Sequence, residues 1–332
     1  MNVLVTGGAG YIGSHTAKAL ARSGHTPVVY DNLSRGHREA VRWGPFVEGN
    51  IADQSHITRT LRGYEIDAVV HFAAYAYVGE SMSNPGLYFD NNLVGSLRVL
   101  EAMREARVRY IVFSSTCATY GNPETLPIDE THPQRPLSPY GESKLMAEKL
   151  LRWFGETYGI SWVALRYFNA AGADLDGELG EDHDPETRLI PLVLEAVLDP
   201  ARPVSVFGTD YPTPDGTAMR DYIHVTDLSD AHVRTLHYLK AGGESRPLNL
   251  GSGQSRSVKQ VIEAVAAVTG RRPTVREVER RPGDPPELVA DASRARLLLS
   301  WRPVSSSSSR IIESAWNWRL KKCRHAVLGS SS

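Results

Sequence analysis

Residues 2–13 read NVLVTGGAGYIG, a short apolar run that gives way to glycines and then to a helical pattern. Val3–Thr6 reads as a buried strand. Gly8-x-Gly10-x-x-Gly13 follows it directly, and Gly7-x-x-Gly10-x-x-Gly13 is a second reading of the same residues. Glycines at these spacings allow a tight strand-to-helix turn and let backbone approach a pyrophosphate. They also leave the first N–H groups of the helix facing its charge. A lone GxGxxG says little. Here the strand before it, the periodic segment 12–22 after it and a second strand, Pro27–Asp31, are all present.

That second strand ends on Asp31, about 20 residues past the glycines, where a carboxylate accepts from ribose hydroxyls. It would repel a 2′-phosphate, so the expected cofactor is NAD and not NADP. Arg35 and Arg38 follow closely and would serve NADP or a solvated loop; Asp31, at the strand end itself, outweighs them. Further apolar runs at Ala68–Phe72, Tyr110–Ser115 and Trp162–Arg166 alternate with helical patterns at 53–62, 86–106 and 139–158. Alternation of this kind predicts an α/β fold, a doubly wound parallel sheet with right-handed crossovers and ligands at the carboxyl ends of its strands.

Past residue 170 the character changes. Ala173–Glu186, Thr209–Gly216 (TDYPTPDG) and Glu279–Glu287 (ERRPGDPPE) read as long loops, of the kind that line binding sites. Helical patterns lie among them at Leu189–Leu198, Val225–Tyr238, Val258–Thr269 and Ile311–Leu320. The serine run Ser305–Ser309 reads as a surface loop ending in a helix N-cap. The expected organisation is an NAD-binding Rossmann domain over 1–170 and a smaller C-terminal α/β substrate lobe over 171–320. Segments such as 220–250 are expected to return to the first domain, and 321–332 to form a tail.

Composition narrows the function from outside. In 332 residues, Lys+Arg 37 against Asp+Glu 38 leaves a formal charge of −1, which excludes a nucleic-acid partner held by a strongly basic field. No apolar run approaches the ~20 residues that span a bilayer. The N-terminus has no basic leader region, so a cytoplasmic enzyme with no membrane partner is expected. Cys117 and Cys323 are too few for a disulfide framework or a Cys-rich zinc site. The histidines show no HExxH spacing, and no metal is predicted. His71, at a strand end, reads as structural, and Cys117 as small packing.

The chemistry is carried by Tyr140-Gly-Glu-Ser-Lys144, announced by Ser138-Pro139 at the start of a helical segment. The i, i+4 spacing puts phenol and ammonium on one helix face. A free tyrosine, with pKa ~10, is a poor base at neutral pH, and a nearby cation is expected to favour its phenolate. Such a phenolate takes a proton from a sugar hydroxyl as hydride leaves the same carbon. Tyr-x-x-x-Lys alone is commonplace. Its weight comes from the glycine turn and from Phe113-Ser114-Ser115-Thr116, which closes a neighbouring strand at its ligand-binding end and brings a hydroxyl to the reacting oxygen.

From Val3 to about Trp318 the chain resembles the UDP-glucose 4-epimerases (UDP-galactose 4-epimerases) of the extended short-chain dehydrogenase/reductase superfamily. The resemblance rests on TGGAGYIGSH at 6–15, YDNLS at 30–34, HFAA at 71–74, VGES at 78–81 and DNN at 90–92. It continues in SSTCATYG at 114–121, SPYGESK at 138–144, LRYFNAAGA at 165–173 and FGTDYPTPDGTAMRDYIHV at 207–225, then LNLGSG at 248–253 and RRPGD at 280–284. The mechanism it implies has Tyr140 take the proton of the sugar 4-hydroxyl while carbon 4 passes hydride to NAD. The 4-keto sugar then swings about its diphosphate and takes the hydride back on its other face. Such a site must grip UDP firmly and the sugar loosely.

The resemblance also implies residue roles. It places NAD against Gly7, Gly10, Tyr11, Ile12 and Gly13, then Asp31, Asn32, Leu33, Ser34, Arg35 and Gly36, and Asn50 with Ile51. Phe72, Ala73, Ala74, Asn91, Ser114, Tyr140, Lys144, Tyr167 and Phe168 complete that set. The UDP-sugar falls to Thr116, Tyr140, Asn169, Arg188, Leu189, Ser205, Phe207, Arg220, Arg281, Asp284 and Leu288. Arginines facing phosphates suit the charge of the substrate. A homodimer through helices 86–106 and 139–158 is implied as well.

Departures from the pattern bear on the substrate. Asn50 stands where the family usually has an Asp on the adenine, and Arg188 where many members have Asn near the diphosphate. Ala76 replaces a frequent Lys, as in the branch that includes UDP-arabinose (UDP-xylose) 4-epimerases. Leu288 holds a position whose size bears on N-acetylated sugars. Interconversion of UDP-glucose and UDP-galactose is the first expectation, and UDP-xylose/UDP-arabinose or dual activity the alternative. Sibling dehydratases and decarboxylases need acid–base groups just after the catalytic Thr, where this chain has Cys117-Ala118-Thr119. A non-catalytic NAD sensor is expected to have lost Tyr140 or Lys144.

Overall fold

A computed structural model describes residues 1–281 and 284–329. Pro282 and Gly283, from the RRPGD stretch, and the last three serines of the tail lie outside the described residues. The chain opens with β1 (Asn2–Thr6), α1 (Tyr11–Arg22), β2 (Thr26–Asp31), β3 (Phe46–Glu48), α2 (Gln54–Gly63) and β4 (Ala68–His71). Then come α3 (Val78–Ser83), α4 (Pro85–Tyr88), α5 (Gly95–Ala106), β5 (Tyr110–Thr116), α6 (Pro139–Tyr158), β6 (Ser161–Tyr167) and β7 (Asn169–Ala171). The remainder is α7 (Leu189–Leu198), β8 (Val204–Phe207), β9 (Met219–His224), α8 (Val225–Lys240), β10 (Arg246–Leu250), β11 (Ser255–Ser257) and α9 (Val258–Thr269). After it follow β12 (Val275–Val278), β13 (Glu287–Leu288), α10 (Ser293–Leu298) and α11 (Ser308–Gly329).

Seven strands form one parallel sheet in the order β10-β6-β5-β4-β1-β2-β3, the doubly wound arrangement the alternation predicts. Successive side chains point to opposite faces, so both faces must be covered by apolar packing. Val3 and Val5 join Val70, Val112, Val163 and Leu248 in one core, beneath α1 and α8. Leu4 joins Val28, Val69, Ile111 and Ala164 in the other, beneath α2, α5 and α6. Chain order reverses between β1 and β4, and there the carboxyl ends of the strands open a crevice. β10, read only as part of LNLGSG in the sequence, pairs with β6 and extends the sheet.

The second lobe is smaller. β9 collects β11, β13 and β7, while β8 pairs with β12. Helices α7, α9 and α11 share a core of Val193, Val197, Val265, Ile311 and Ile312.

Three readings need correction. The segment 86–106 is not one helix: α4 gives way to a π-helical stretch, Phe89–Val94, before α5 begins. The widened turn presents Asn91 to the cavity. It also turns Asn92 inward, where its amide bonds Tyr75 N (2.9 Å), Tyr75 O (3.0 Å) and Ser143 Oγ (3.2 Å). Period counting cannot register a single inserted residue when the flanking turns are regular.

The serine run is only partly a surface loop. Ser305 is buried, and Ser305 N and Ser306 Oγ donate to the buried Asp227 carboxylate (2.9 and 2.6 Å), whereas Ser307 accepts from Arg310 N at 3.4 Å and caps α11. That helix does not stop at Leu320 but continues to Gly329. Nor do all the long loops face the cavity. Thr209–Gly216 closes on itself, with Tyr211 N on Gly216 O (2.9 Å), and does not line it.

Candidate active site

A cavity of about 1510 Å³ runs from the β1–α1 turn across the carboxyl ends of β4, β5 and β6 into the second lobe. At its floor, Gly7 takes φ 69° and packs so closely that a Cβ would stand 2.6 Å from Ala73 N. A Cβ on Gly13 would stand 2.2 Å from Gly7 O, so the third glycine serves the packing of α1 onto the turn. Gly10 is the N-cap of α1, and no side chain caps that end. Its free N–H groups and the helix dipole therefore face the cavity and suit a pyrophosphate. Asp31 accepts from Ala9 N (3.0 Å) and Leu33 N (2.8 Å), one bond to each oxygen. Each oxygen keeps capacity for a ribose hydroxyl. These features fit NAD.

The arginines that followed Asp31 in the sequence are engaged elsewhere. Arg35 pairs with Glu80 (2.8 Å), donates to Asp184 O (3.2 Å) and lies over Tyr75 and Tyr77. Arg38 stacks on Phe46 at 4.5 Å. His37 adds a bond of 2.6 Å to Asp182 O. Arg35 and His37 thus tie the loop after β2 to the loop 181–188 across the cavity.

Two of the residues expected on the cofactor do not line the cavity. Asn50 is exposed; its Oδ1 closes its own turn on Ala52 N (2.9 Å), and only its carbonyl looks inward, to Tyr30 OH (3.0 Å). The Asx turn occupies the side-chain oxygen and holds the side chain out of the cavity. Leu33 is turned aside at φ 57° with its N–H on Asp31. The other residues assigned to cofactor and sugar all line the cavity.

Tyr140 and Lys144 come from the first turns of α6, capped by Ser138 and started by Pro139. Thr116, Ser114 and Tyr167 end the adjacent β5 and β6, in register Thr116 to Tyr167. Lys144 Nζ donates to Ser114 O at 2.8 Å and lies 4.8 Å from the centre of the Phe113 ring. Burial lowers Lys144 to about 7, against the pull of Glu148. Burial also raises the Tyr140 phenol, while a hydrogen bond with Thr116 and the charge of Arg188 act to lower it. Arg188, from the second lobe, is thus a cation acting on the phenol that the sequence reading places only on the substrate. Ser114 Oγ and Tyr167 OH share a hydrogen bond beside them.

The flanking histidine and cysteine are as read. His71 bonds Thr6 Oγ1 (2.6 Å) and Ser96 Oγ (2.9 Å), and burial holds it neutral with a pKa near about 3. Burial pushes the Cys117 thiol up to about 12, which leaves no thiolate for nucleophilic chemistry.

The second lobe supplies the far wall. Arg220 is ion-paired with Asp284 and donates to Met219 O (2.7 Å), and Arg281 lies 3.8 Å from the centre of the Phe207 ring. Asn169 Nδ2 is buried without a hydrogen-bond partner, an amide donor facing a missing acceptor. Leu189 starts α7, Ser205 lies on β8 and Leu288 on β13 beside Cys117 and Phe168.

The lining residues Tyr77, Glu181, His183 and Glu186 escaped the sequence reading. Tyr11 OH donates to Gly172 O (2.6 Å), and the His183 ring stands edge-on to Tyr11 and Tyr77. Glu181, His183 and Glu186 bring one ligand atom each within 4.8 Å, and Arg188 Nε holds Glu181 at 2.8 Å. The stretch GEDHDPETR (180–188) carried acids and a histidine at no diagnostic spacing, and only the loop's course joins them.

Comparison with known proteins agrees with this geometry. Residues 3–251 match the model of the NAD dependent epimerase/dehydratase family. The UDP-glucose 4-epimerase of Rhizobium meliloti is 50% identical over 321 residues, 97% of this chain and 98% of that one. The crystal structure of UDP-glucose 4-epimerase from Brucella ovis in complex with NAD is 52% identical with a TM-score of 0.93, covering 95% of this chain and 97% of the other. A UDP-glucose 4-epimerase from Stenotrophomonas maltophila, solved with NAD and formylated UDP-arabinopyranose, is 40% identical with a TM-score of 0.95 over 98% and 99% of the two chains. With a glycine turn, a strand-end Asp31 and a Thr116–Tyr140–Lys144 cluster in one crevice, and with these relatives end to end, the chain belongs to the NAD-dependent epimerase/dehydratase family, as one of its UDP-glucose 4-epimerases.

Proposed function

We propose that the protein interconverts UDP-glucose and UDP-galactose, with Tyr140 as the group that takes and returns the proton of the sugar 4-hydroxyl. The observation that carries this reading is that Tyr140, Lys144 and Thr116 line one cavity, between the glycine turn and the arginine-lined wall. Bound NAD supplies a reversible hydride acceptor at the sugar carbon. Gly7, Gly10 and Gly13 with Asp31 hold the cofactor, and Lys144 and Tyr167 flank its reactive end. Thr116 shares the reacting proton with Tyr140 and keeps the sugar oxygen within reach.

Asn169, Arg220, Arg281 and Phe207 hold the nucleotide and diphosphate. An Asn169 amide without a partner and an Arg281 already stacked on an aromatic ring suit phosphate and base respectively. The sugar end is bounded by small or apolar groups such as Cys117 and Leu288, which leave a hexose room to turn over. A homodimer fits the exposed side of α6, where Trp153 is 57% exposed next to a half-buried Leu150.

Purified protein incubated separately with UDP-galactose and UDP-xylose tests the reading. Conversion of UDP-galactose to UDP-glucose is expected, faster than any conversion of UDP-xylose. No turnover of either would sink the epimerase assignment. Tyr140→Phe should keep NAD and lose about 10²-fold or more of turnover, the usual worth of a positioned acid–base group.

A further inference from the structure

Tyr140, Lys144 and Glu148 follow one another at four-residue steps on α6 and so share a face. Glu148 does not reach the cavity. Its side chain is 7% exposed, and its carboxylate accepts from Arg166 Nε (3.0 Å) and Arg166 Nη2 (2.6 Å). Ser115 Oγ donates at 2.5 Å to the same oxygen, Oε1, that accepts from Arg166 Nε. Ser115 sits between Ser114, whose carbonyl receives Lys144 Nζ, and Thr116, which lines the cavity with Tyr140. Arg166 is itself fixed, with Nη1 on Tyr120 OH (3.0 Å) and Tyr120 OH on Asn249 Oδ1 (2.7 Å).

We propose that Glu148 is a positioning residue for the proton transfer: the Ser115–Glu148–Arg166 clamp holds the end of β5 against α6, keeping Thr116 and the Ser114 carbonyl in register with Tyr140 and Lys144. The proposal rests on the reading of Tyr140 as proton acceptor. A buried ion pair gains little stability over a well-packed apolar pair. What this one secures is the relative placement of a strand and a helix at the point where the reacting groups meet.

Its charge acts in the same sense. Lys144 is faced by the Ser114 carbonyl and Phe113 ring from β5, by neutral His71 from β4, by Tyr167 from β6, and by Tyr140 and Glu148 from its own helix. Of these, Glu148 alone is an anion, and it opposes the burial that lowers Lys144. Without it the ammonium one turn from the phenol is harder to keep.

The test compares wild type with Glu148→Gln, with Glu148→Gln/Arg166→Gln, which leaves no orphaned buried charge, and with Ser115→Ala, which spares the ion pair. Each is measured with UDP-galactose for kcat, KM and the pH profile of kcat, with retained NAD and circular dichroism reporting the fold. The expected result is a kcat about tenfold or more lower with KM held within about twofold, the signature of lost transition-state placement. In the Glu148 variants the acid limb of kcat should move up by about half a pH unit or more, because the Lys144 ammonium beside the phenol loses its anion, whereas Ser115→Ala should keep the wild-type limb.

A folded, NAD-bearing variant with the wild-type kcat and pH profile overturns the positioning role, whatever its melting temperature. If Glu148→Gln does not fold, the double variant decides, and failing that Ser115→Ala decides on kcat and KM. Tyr140→Phe is run alongside. Wild-type turnover in that variant removes the proton-acceptor reading itself, whereas its loss of activity beside unchanged clamp variants removes only the clamp.

Discussion

Tyr140 holds its proton more tightly than a free phenol, because burial raises it more than the Thr116 hydroxyl and Arg188 lower it. Each group that favours the phenolate therefore bears on the pH range of activity. Arg188→Gln removes a positive charge facing the phenol and frees Glu181, its partner at 2.8 Å. Its kcat is expected to fall several-fold, with the acid limb of the pH profile moved upward; an unmoved profile would restrict Arg188 to holding the loop. Tyr140, Lys144 and Thr116 were legible in the sequence because a helix step and a strand end fix them locally. The influence of Arg188 on the phenol was not, because it arises from a loop of the other lobe folded over the cavity.

Among the elements, the β1–α1 turn is the one whose sequence constrains its structure most. Gly13→Ala would drive a Cβ to 2.2 Å from Gly7 O and 2.9 Å from Gly8 Cα, both backbone, so neither neighbour can rotate away. The helix must lift from the turn. Purified Gly13→Ala should carry far less NAD than wild type and melt lower, checked by the absorbance of the released cofactor and by calorimetry; wild-type NAD content would show that the turn has slack. Helices α6, α7 and α9 match their predicted spans residue for residue; α6 and α9 run from a capping serine to a glycine, and Pro200 follows the C-cap of α7. The π-helical stretch after α4 escaped because the reason for it, the Asn92 amide on Tyr75 and Ser143, is a contact between distant segments.

For the molecule as a whole, buried imidazoles set the response to acid. Burial lowers His15, His224 and His232 to about 4 and His71 to about 3, from the ordinary 6.5. Above pH 6.5 these rings are neutral folded or unfolded and have no effect. As pH falls from about 6.5 toward 4 the unfolded chain binds protons that the folded one refuses, so stability declines through that window and levels off below it. Asp31, Asp221 and Asp227, raised by burial, work in the opposite direction and reduce the net loss. Melting temperatures at pH 7, 5.5 and 4.5 should fall in that order; a flat series would mean that protons reach the imidazoles in the folded state. Association is expected to use the face carrying Trp153, so light scattering should give a dimer for wild type and a smaller mass for Trp153→Asp. A monomeric wild type would dispose of the proposal.

The sequence by itself determined the parallel sheet, the glycine turn, the carboxylate of Asp31 at the end of β2 and the Tyr140–Lys144 pair. These depend on periodicity, on steric allowance at glycine and on short helical spacings, all local properties of the chain. Only the tertiary structure decided that Asn50 turns away from the cavity, that Arg35 and His37 tie the loop 181–188 across it, and that Arg188 joins Tyr140 in lining it. It also decided that Glu148 anchors β5 to α6. Those outcomes depend on which partner wins each side chain once distant segments meet, and burial, which sets both the worth of an ion pair and the direction of every pKa shift, exists only after they do.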